Sequence, residues 1–298
     1  MRLHTIVALT DFSSVAEQAL ERAALLAVAH QARLHILYGA EVRDPKFVDP
    51  QARLEQRARQ LARRHDVPVT ALDHGDVGVA EVVLHAARDA DLLVLHGGLV
   101  AGLAVWWRGG ILAQLLHSSP CPVLVVRQDA QGAYAHVLVD VDASPAARAL
   151  VRYAGALDAA AGVELFHKPG MHEQLASGVA DMLQAYRDEL RRLGRERRVR
   201  LSDVFDARRN RVGLKLRMSA QDAARQLAVQ QHRSGADLVA LAQQRRGWLG
   251  HVLRGGMVRR LLAGVACDVL VYPHDAPQAV QRGQEAQSRV ARRCTHAT

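Results

Sequence analysis

The chain has 298 residues, about twice a common domain size, and 49% of them are hydrophobic, enough apolar surface for two buried cores. Lys and Arg number 39 against 30 Asp and Glu, a formal net charge of +9, yet no uninterrupted apolar run reaches the ~18 residues of a membrane span. Three cysteines exclude a disulfide framework and none has zinc-finger spacing, and no signal-peptide core follows Met1, so a reducing, cytoplasmic setting without membrane insertion is expected.

In chain order, short runs rich in Val, Ile and Leu predict strands at 4–10, 33–39, 68–73, 91–96 and 122–127. They are nearly continuous rather than alternating, as strands covered on both faces require. The first ends at Asp11, and Ser14-x-x-Glu17 reads as a capping box for a helix whose apolar stripe is Ala16, Leu20, Ala23 and Ala27. Then the pattern starts again. Thr5-Ile-Val-Ala-Leu-Thr-Asp11-Phe-Ser13 matches His136-Val-Leu-Val-Asp-Val-Asp142-Ala-Ser144, and Ser144-Pro145 is a cap with proline at the first helical position. Asp91-Leu-Leu-Val-Leu matches Asp237-Leu-Val-Ala-Leu, Gly109-Gly110 matches Gly255-Gly256, and Cys121-Pro-Val-Leu-Val-Val matches Cys267-Asp-Val-Leu-Val-Tyr.

Matching positions lie 131 residues apart at the first strand and 146 apart from Asp91 and Asp237 onward. The second copy therefore holds 15 extra residues, expected near the Arg-rich stretch Arg195–Arg217, with its third helix starting at Ser219. The copies divide the chain into 1–131 and 132–273, followed by a basic, aperiodic tail over 274–298 expected to be disordered. Alternating strands and helices of these lengths predict two α/β domains, each a doubly wound parallel sheet.

Two copies of a strand ending in Asp, then Asp-Leu-(Leu/Val)-Val or its variant Asp-Leu-Val-Ala, Gly-Gly and Cys-x-Val-Leu-Val resemble a tandem universal stress protein over nearly the whole chain. The resemblance implies, for each copy, a five-stranded sheet of order 3-2-1-4-5 in the adenine-nucleotide alpha-hydrolase-like class. It also implies intrachain pairing of the copies through their last strands, around Val123–Val126 and Val269–Tyr272. Family members that bind ATP carry a Gly-x-x-Gly-x9-Gly-(Ser/Thr) loop after the fourth strand, whose glycines let backbone N–H groups reach phosphates at a helix N-terminus. Asp11 and Asp142 match the Asp on the nucleoside side of that crevice. Of the loop, Gly109 and Gly255 match the third glycine, whereas Gly110 and Gly256 replace the hydroxyl residue. The first two glycine positions hold His96 and Leu99 in one copy, and Ala242 and Arg245 in the other. Gly97 and Gly98 lie one or two positions out of register.

The chemistry-bearing candidates follow from these positions. Asp11, His74, Asp76 and His96 all fall near carboxyl ends of predicted strands, where open α/β sheets bind ligands. His96 is expected beside Asp11, one strand spacing of about 4.8 Å away. An imidazole–carboxylate pair of this kind, with His74, is a weak candidate for a metal, against a structural role filling a lost phosphate site. Arg245, Arg246 and Arg254 flank the second degenerate loop and suit a phosphate-like anion, against a solvated basic loop. Residues 1–131 hold 13 basic and 14 acidic side chains and the remainder 26 and 16, with excess at Arg187–Arg217 and Arg245–Arg260. Only 3 of the 39 basic residues are Lys, and aromatic content is 4%, so a nucleic-acid surface with stacking platforms is poorly supported. Trp106, Trp107 and Trp248 suit an apolar lid or packing against the other copy; Cys121 and Cys267 read as core, and Cys294 as a tail thiol.

The expected function is a non-enzymatic stress-response protein that binds a protein partner or small ligand, its nucleotide loops degenerate and ATP doubtful as a cofactor. The alternatives are an ATP-binding or slowly hydrolysing switch, and an anion- or nucleic-acid-binding module built on the basic second half. No catalytic motif is present in the sequence.

Overall fold

The chain's computed structural model describes residues 1–39, 49–73, 78–100, 110–142, 144–167, 176–193, 199–201, 220–243 and 256–273. The first copy contributes β1 (Thr5–Thr10), β2 (Arg33–Tyr38), β3 (Val69–Leu72), β4 (Leu92–His96) and β5 (Val123–Val126). Its helices are α1 (Ser14–His30), α2 (Pro50–His65), α3 (Val79–Ala86) and α4 (Ile111–Ser118), with a 3₁₀ turn at Gly97–Val100. The second copy contributes β6 (His136–Val141), β7 (Gly162–His167), β8 (Val199–Leu201), β9 (Leu238–Gln243) and β10 (Asp268–Pro273). Its helices are α5 (Pro145–Leu157), α6 (Ala176–Arg192), α7 (Ala220–Ser234) and α8 (Met257–Gly264).

All ten strands join one sheet of order β3-β2-β1-β4-β5-β10-β9-β6-β7-β8. Each half has the order 3-2-1-4-5, and every pairing is parallel except the central one, where β5 and β10 run antiparallel. There Val123, Leu124 and Val125 pair with Val271, Leu270 and Val269, which removes two apolar sheet edges that would otherwise template aggregation. The repeat thus closes on itself through its last strands.

The continuous apolar runs are explained by helices on both faces. Ile6 and Ala8 enter one core with Leu20 of α1 and Leu54 of α2, while Val7 and Leu9 enter the other with Val83 of α3 and Leu115 of α4. Ala16, Leu20, Ala23 and Ala27, the expected stripe of α1, are all fully buried. Both cores run through the β5–β10 seam, with Leu124 and Leu270 in one and Val125 and Val269 in the other. The two copies therefore share their hydrophobic cores.

The start of α1 corrects the sequence reading. Thr10 Oγ1 accepts from Phe12 N at 3.0 Å and Asp11 Oδ1 from Ser13 N at 2.9 Å, turning the chain so that Phe12 takes the left-handed φ of 63°. Ser13, not Ser14, is then the extended N-cap, and its Oγ accepts from Ala16 N at 3.2 Å. Glu17, free of a capping box, pairs with Arg57 of α2 at 2.5 Å. In the second copy Ser144 caps α5 as expected, accepting from Ala147 N, with Pro145 first in the helix. The extra residues of the second copy fall after β8 and before β9, since β3 and β8 still match while β4 and β9 do not. Ser219 lies outside the described residues, as does the tail.

A polar pin crosses the seam. Asp268, at the head of β10 and wholly buried, accepts from Arg127 N at 2.8 Å, Gln128 N at 3.3 Å and Tyr134 Oη at 2.6 Å. Arg22 of α1 places its Nε 3.5 Å from the same carboxylate, its guanidinium over the Tyr134 ring at 4.1 Å, and donates to Gly132 O at 2.5 Å. The corresponding position of α5 is Tyr153, which donates to Asp91 O at 2.8 Å and meets Tyr272 edge-on. First helices of both copies thus reach across the seam, one with a cation and one with a phenol.

Candidate functional site

The strand order places a topological switch between β1 and β4 in the first copy and between β6 and β9 in the second, so the ligand crevices of the fold lie at their carboxyl ends. In the first crevice β1 delivers Asp11 and β4 delivers His96, and the pairing of the two strands brings His96 Nε2 to 3.7 Å from Asp11 Oδ2. This is within ion-pair range and beyond a hydrogen bond. The expectation that the two residues adjoin holds. His96 is 2% exposed, and among the described residues neither ring nitrogen has a hydrogen-bond partner. Burial pulls its pKa below the ordinary value of 6.5, against the attraction of Asp11.

Gly98 packs against this ring and Gly97 against the chain after β5. A Cβ on Gly98 would stand 2.9 Å from His96 Nδ1, and one on Gly97 would stand 2.9 Å from Arg127 Cγ and 3.1 Å from Val126 O. Both are glycines because the chain packs on its own atoms there. Toward β2, Phe12 stacks on Tyr38 with centroids 4.9 Å apart and Arg53 of α2 lies over the Phe12 ring. Gly110 is the N-cap of α4 and supplies no side-chain cap.

The second crevice differs where the sequence differs. The position matching His96 is Ala242, a half-buried residue packed against the core. Asp142 Oδ1 accepts from Ser144 N at 2.9 Å, repeating the Asp11 turn, and its carbonyl accepts from Tyr186 Oη of α6 at 2.6 Å. Tyr186 is buried, which raises its pKa to about 12 and keeps it a neutral donor. Gly256 is the N-cap of α8, again without a side-chain cap. Gly109, Gly255, Arg245, Arg246, Arg254, His74, Asp76 and the three tryptophans lie outside the described residues, so neither the metal set with His74 nor the arginine cluster is placed. Among the described residues no three His, Cys, Asp or Glu side chains gather as a metal site.

Other repeat residues prove structural. Asp91 accepts from His4 N at 2.6 Å and Thr5 N at 3.0 Å, and Asp237 from Ala135 N at 2.7 Å and His136 N at 3.0 Å. The Asp of each Asp-Leu motif thus clamps the first strand of its copy. Cys121 and Cys267 are core residues as expected, their thiols pushed up to about 12 by burial. Sequence reasoning missed Arg22, Tyr134, Asp268 and His30, which have partners 110, 127 and 134 residues away along the chain.

Among the described residues no helix is long and apolar enough to cross a membrane. The universal stress protein family model matches twice, at residues 2–127 and 133–273. No curated protein sequence matches the chain. A universal stress protein from Archaeoglobus fulgidus DSM 4304 is similar in structure, with TM-score 0.65 and 13% identity over 90% of this chain and 96% of that one. A functionally unknown protein from Pseudomonas aeruginosa PAO1 aligns with TM-score 0.57 and 17% identity, covering 96% and 98% of the two chains. The cytoplasmic domain of a prokaryotic cation chloride cotransporter aligns with TM-score 0.52 and 11% identity, covering 94% and 99%. At these identities the likeness is one of fold, and the fold serves more than one role.

Proposed function

Because the chain belongs to the universal stress protein family, which its two halves match separately, we propose that it is a cytoplasmic stress-response protein acting by binding, without catalysis, a protein partner or a small ligand. The observation that carries this reading is His96. It stands where ATP-binding members carry the first loop glycine, and it puts a buried imidazole beside Asp11 at the carboxyl ends of β1 and β4, where such members place backbone alone. Asp11 is committed twice over, through Oδ1 to the α1 turn and through Oδ2 to the neighbourhood of His96. Labelled ATP with magnesium, titrated at equilibrium, is expected to show no saturable binding that depends on Asp11, and no phosphate release. Saturable binding lost in Asp11→Ala would replace this reading with an ATP-binding switch.

The second crevice supports a narrower proposal. Ala242 stands where His96 stands in the first copy, and the start of α8 at Gly256 carries no side-chain cap, a helix N-terminus where an anion is favoured. We assign Asp142, Gly255 and Gly256 to this crevice, with Arg245 and Arg254 as the side chains that would hold a phosphate-like group; Gly109 and Gly110 are their counterparts beside Asp11. Phosphate, sulfate or nucleotide then binds the second copy before the first. Arg245→Ala should weaken phosphate binding about 5- to 150-fold, the loss of a charge-assisted hydrogen bond worth roughly 1–3 kcal/mol. Binding that ignores this substitution would contradict the assignment.

A further inference from the structure

His30, the last residue of α1, is 7% exposed and spans the seam between the copies. Its Nδ1 accepts from Leu3 N at 3.3 Å in the first copy, and its Nε2 lies 2.8 Å from Leu157 O at the end of α5 in the second. A backbone N–H can only donate and a carbonyl can only accept, so this pair of contacts fits one form of the ring: neutral, with the proton on Nε2. Adding a proton to Nδ1 turns it into a donor facing the donor Leu3 N–H. That leaves two buried N–H groups opposed and the Leu3 bond lost.

The charged groups around the ring are Asp158, Arg2 and the N-terminal amine. Asp158 attracts an imidazolium, yet both its oxygens are engaged, Oδ2 by Tyr134 N at 2.7 Å and Oδ1 by Ala160 N at 2.9 Å. Arg2, whose Nε donates to His30 O at 2.6 Å and whose guanidinium reaches Gln31 Oε1, repels an imidazolium, as does the amine. Burial is the largest influence and also favours the neutral ring.

We propose that His30 is an acid-responsive latch on the start of the first copy: one proton taken from solvent onto Nδ1 releases Leu3, just ahead of β1, from the end of α1, while the Nε2–H bond to Leu157 O still holds α1 to α5 and the β5–β10 pairing persists. No ligand is required, and the device is independent of either crevice. The second copy sets the response, because Leu157 O holds the proton on Nε2 and leaves Nδ1 as the atom that acid titrates.

The test is amide hydrogen exchange on the whole chain at pH 7.5 and 5.5, with protection at each pH corrected for the intrinsic exchange rate. Protection of Leu3 is expected to fall about tenfold per pH unit across the titration, the slope of one linked proton, while Leu124 in β5 stays constant. His30→Gln, whose amide can still donate to Leu157 O but does not titrate, should abolish that dependence. Nitrogen-15 shifts of the wild-type ring should report the Nε2–H neutral form at pH 7.5. Equal pH dependence in His30→Gln, or a wild-type ring already protonated or carrying its proton on Nδ1 at pH 7.5, would overturn the proposal.

Discussion

Asp268→Ala is expected to destabilise the chain by about 3–5 kcal/mol, because it strands the Arg22 guanidinium in a dry seam without its counter-charge. The side chains of Arg22 and Asp268 are 4% and 0% exposed, so neither ion has solvent to fall back on. Tyr134 Oη and the amides of Arg127 and Gln128 lose their acceptor in the same step. Removing the pair together is a different matter: Arg22→Met with Asp268→Leu leaves no orphan charge and should recover most of the loss. Chemical denaturation of the wild type, Arg22→Met, Asp268→Leu and the double variant measures the coupling. A loss below about 1 kcal/mol in Asp268→Ala, or no recovery in the double variant, would mean that the pin does not hold the copies together.

Acid should weaken the fold in a pH range set by buried histidines. Burial holds the folded-state pKa of both His30 and His96 below the ordinary 6.5. As pH falls, the unfolded chain therefore takes up these protons before the folded one. The stabilisation is complete above 6.5 and is lost as pH falls from there through the folded-state values. Each group contributes a slope of about 1.4 kcal/mol per pH unit within that range. His35, also lowered by burial and by Arg33, adds in the same direction. Denaturation midpoints at pH 7.5 and 5.5 should separate clearly in the wild type and draw together in the His30→Gln, His96→Asn double variant. An unchanged separation in that variant would assign the acid sensitivity to other groups.

What the residues disclosed in advance follows a physical division. Strands buried on both faces write themselves as apolar runs, so β1, β2, β4 and β5 were legible to within a residue at each end. The adjacency of His96 and Asp11 followed from strand spacing together with the strand order that the family resemblance implied. The α1 cap was misread by one residue because the turn depends on a left-handed Phe12, which no local spacing announces. Arg22 and His30 were passed over for a different reason. They sit on a helix whose stripe is alanine and leucine, and their partners at Asp268 and Leu157 become neighbours only once the two copies are joined. Side-chain chemistry that answers a distant carbonyl or carboxylate leaves no periodic trace. Gly97 and Gly98 carry a second constraint that spacing does not show: a Cβ there would meet the backbone after β5 and the His96 ring.

The occupancy of the first crevice is most directly decided by an experimental crystal structure of the chain grown with ATP and magnesium. The expected result is a His96 ring in place beside Asp11, its Nε2 still 3.7 Å from Oδ2, and no nucleotide in the first copy. Nucleotide density in the first copy, with the His96 ring displaced and phosphates at the Gly110 start of α4, would contradict the proposed loss of ATP binding there.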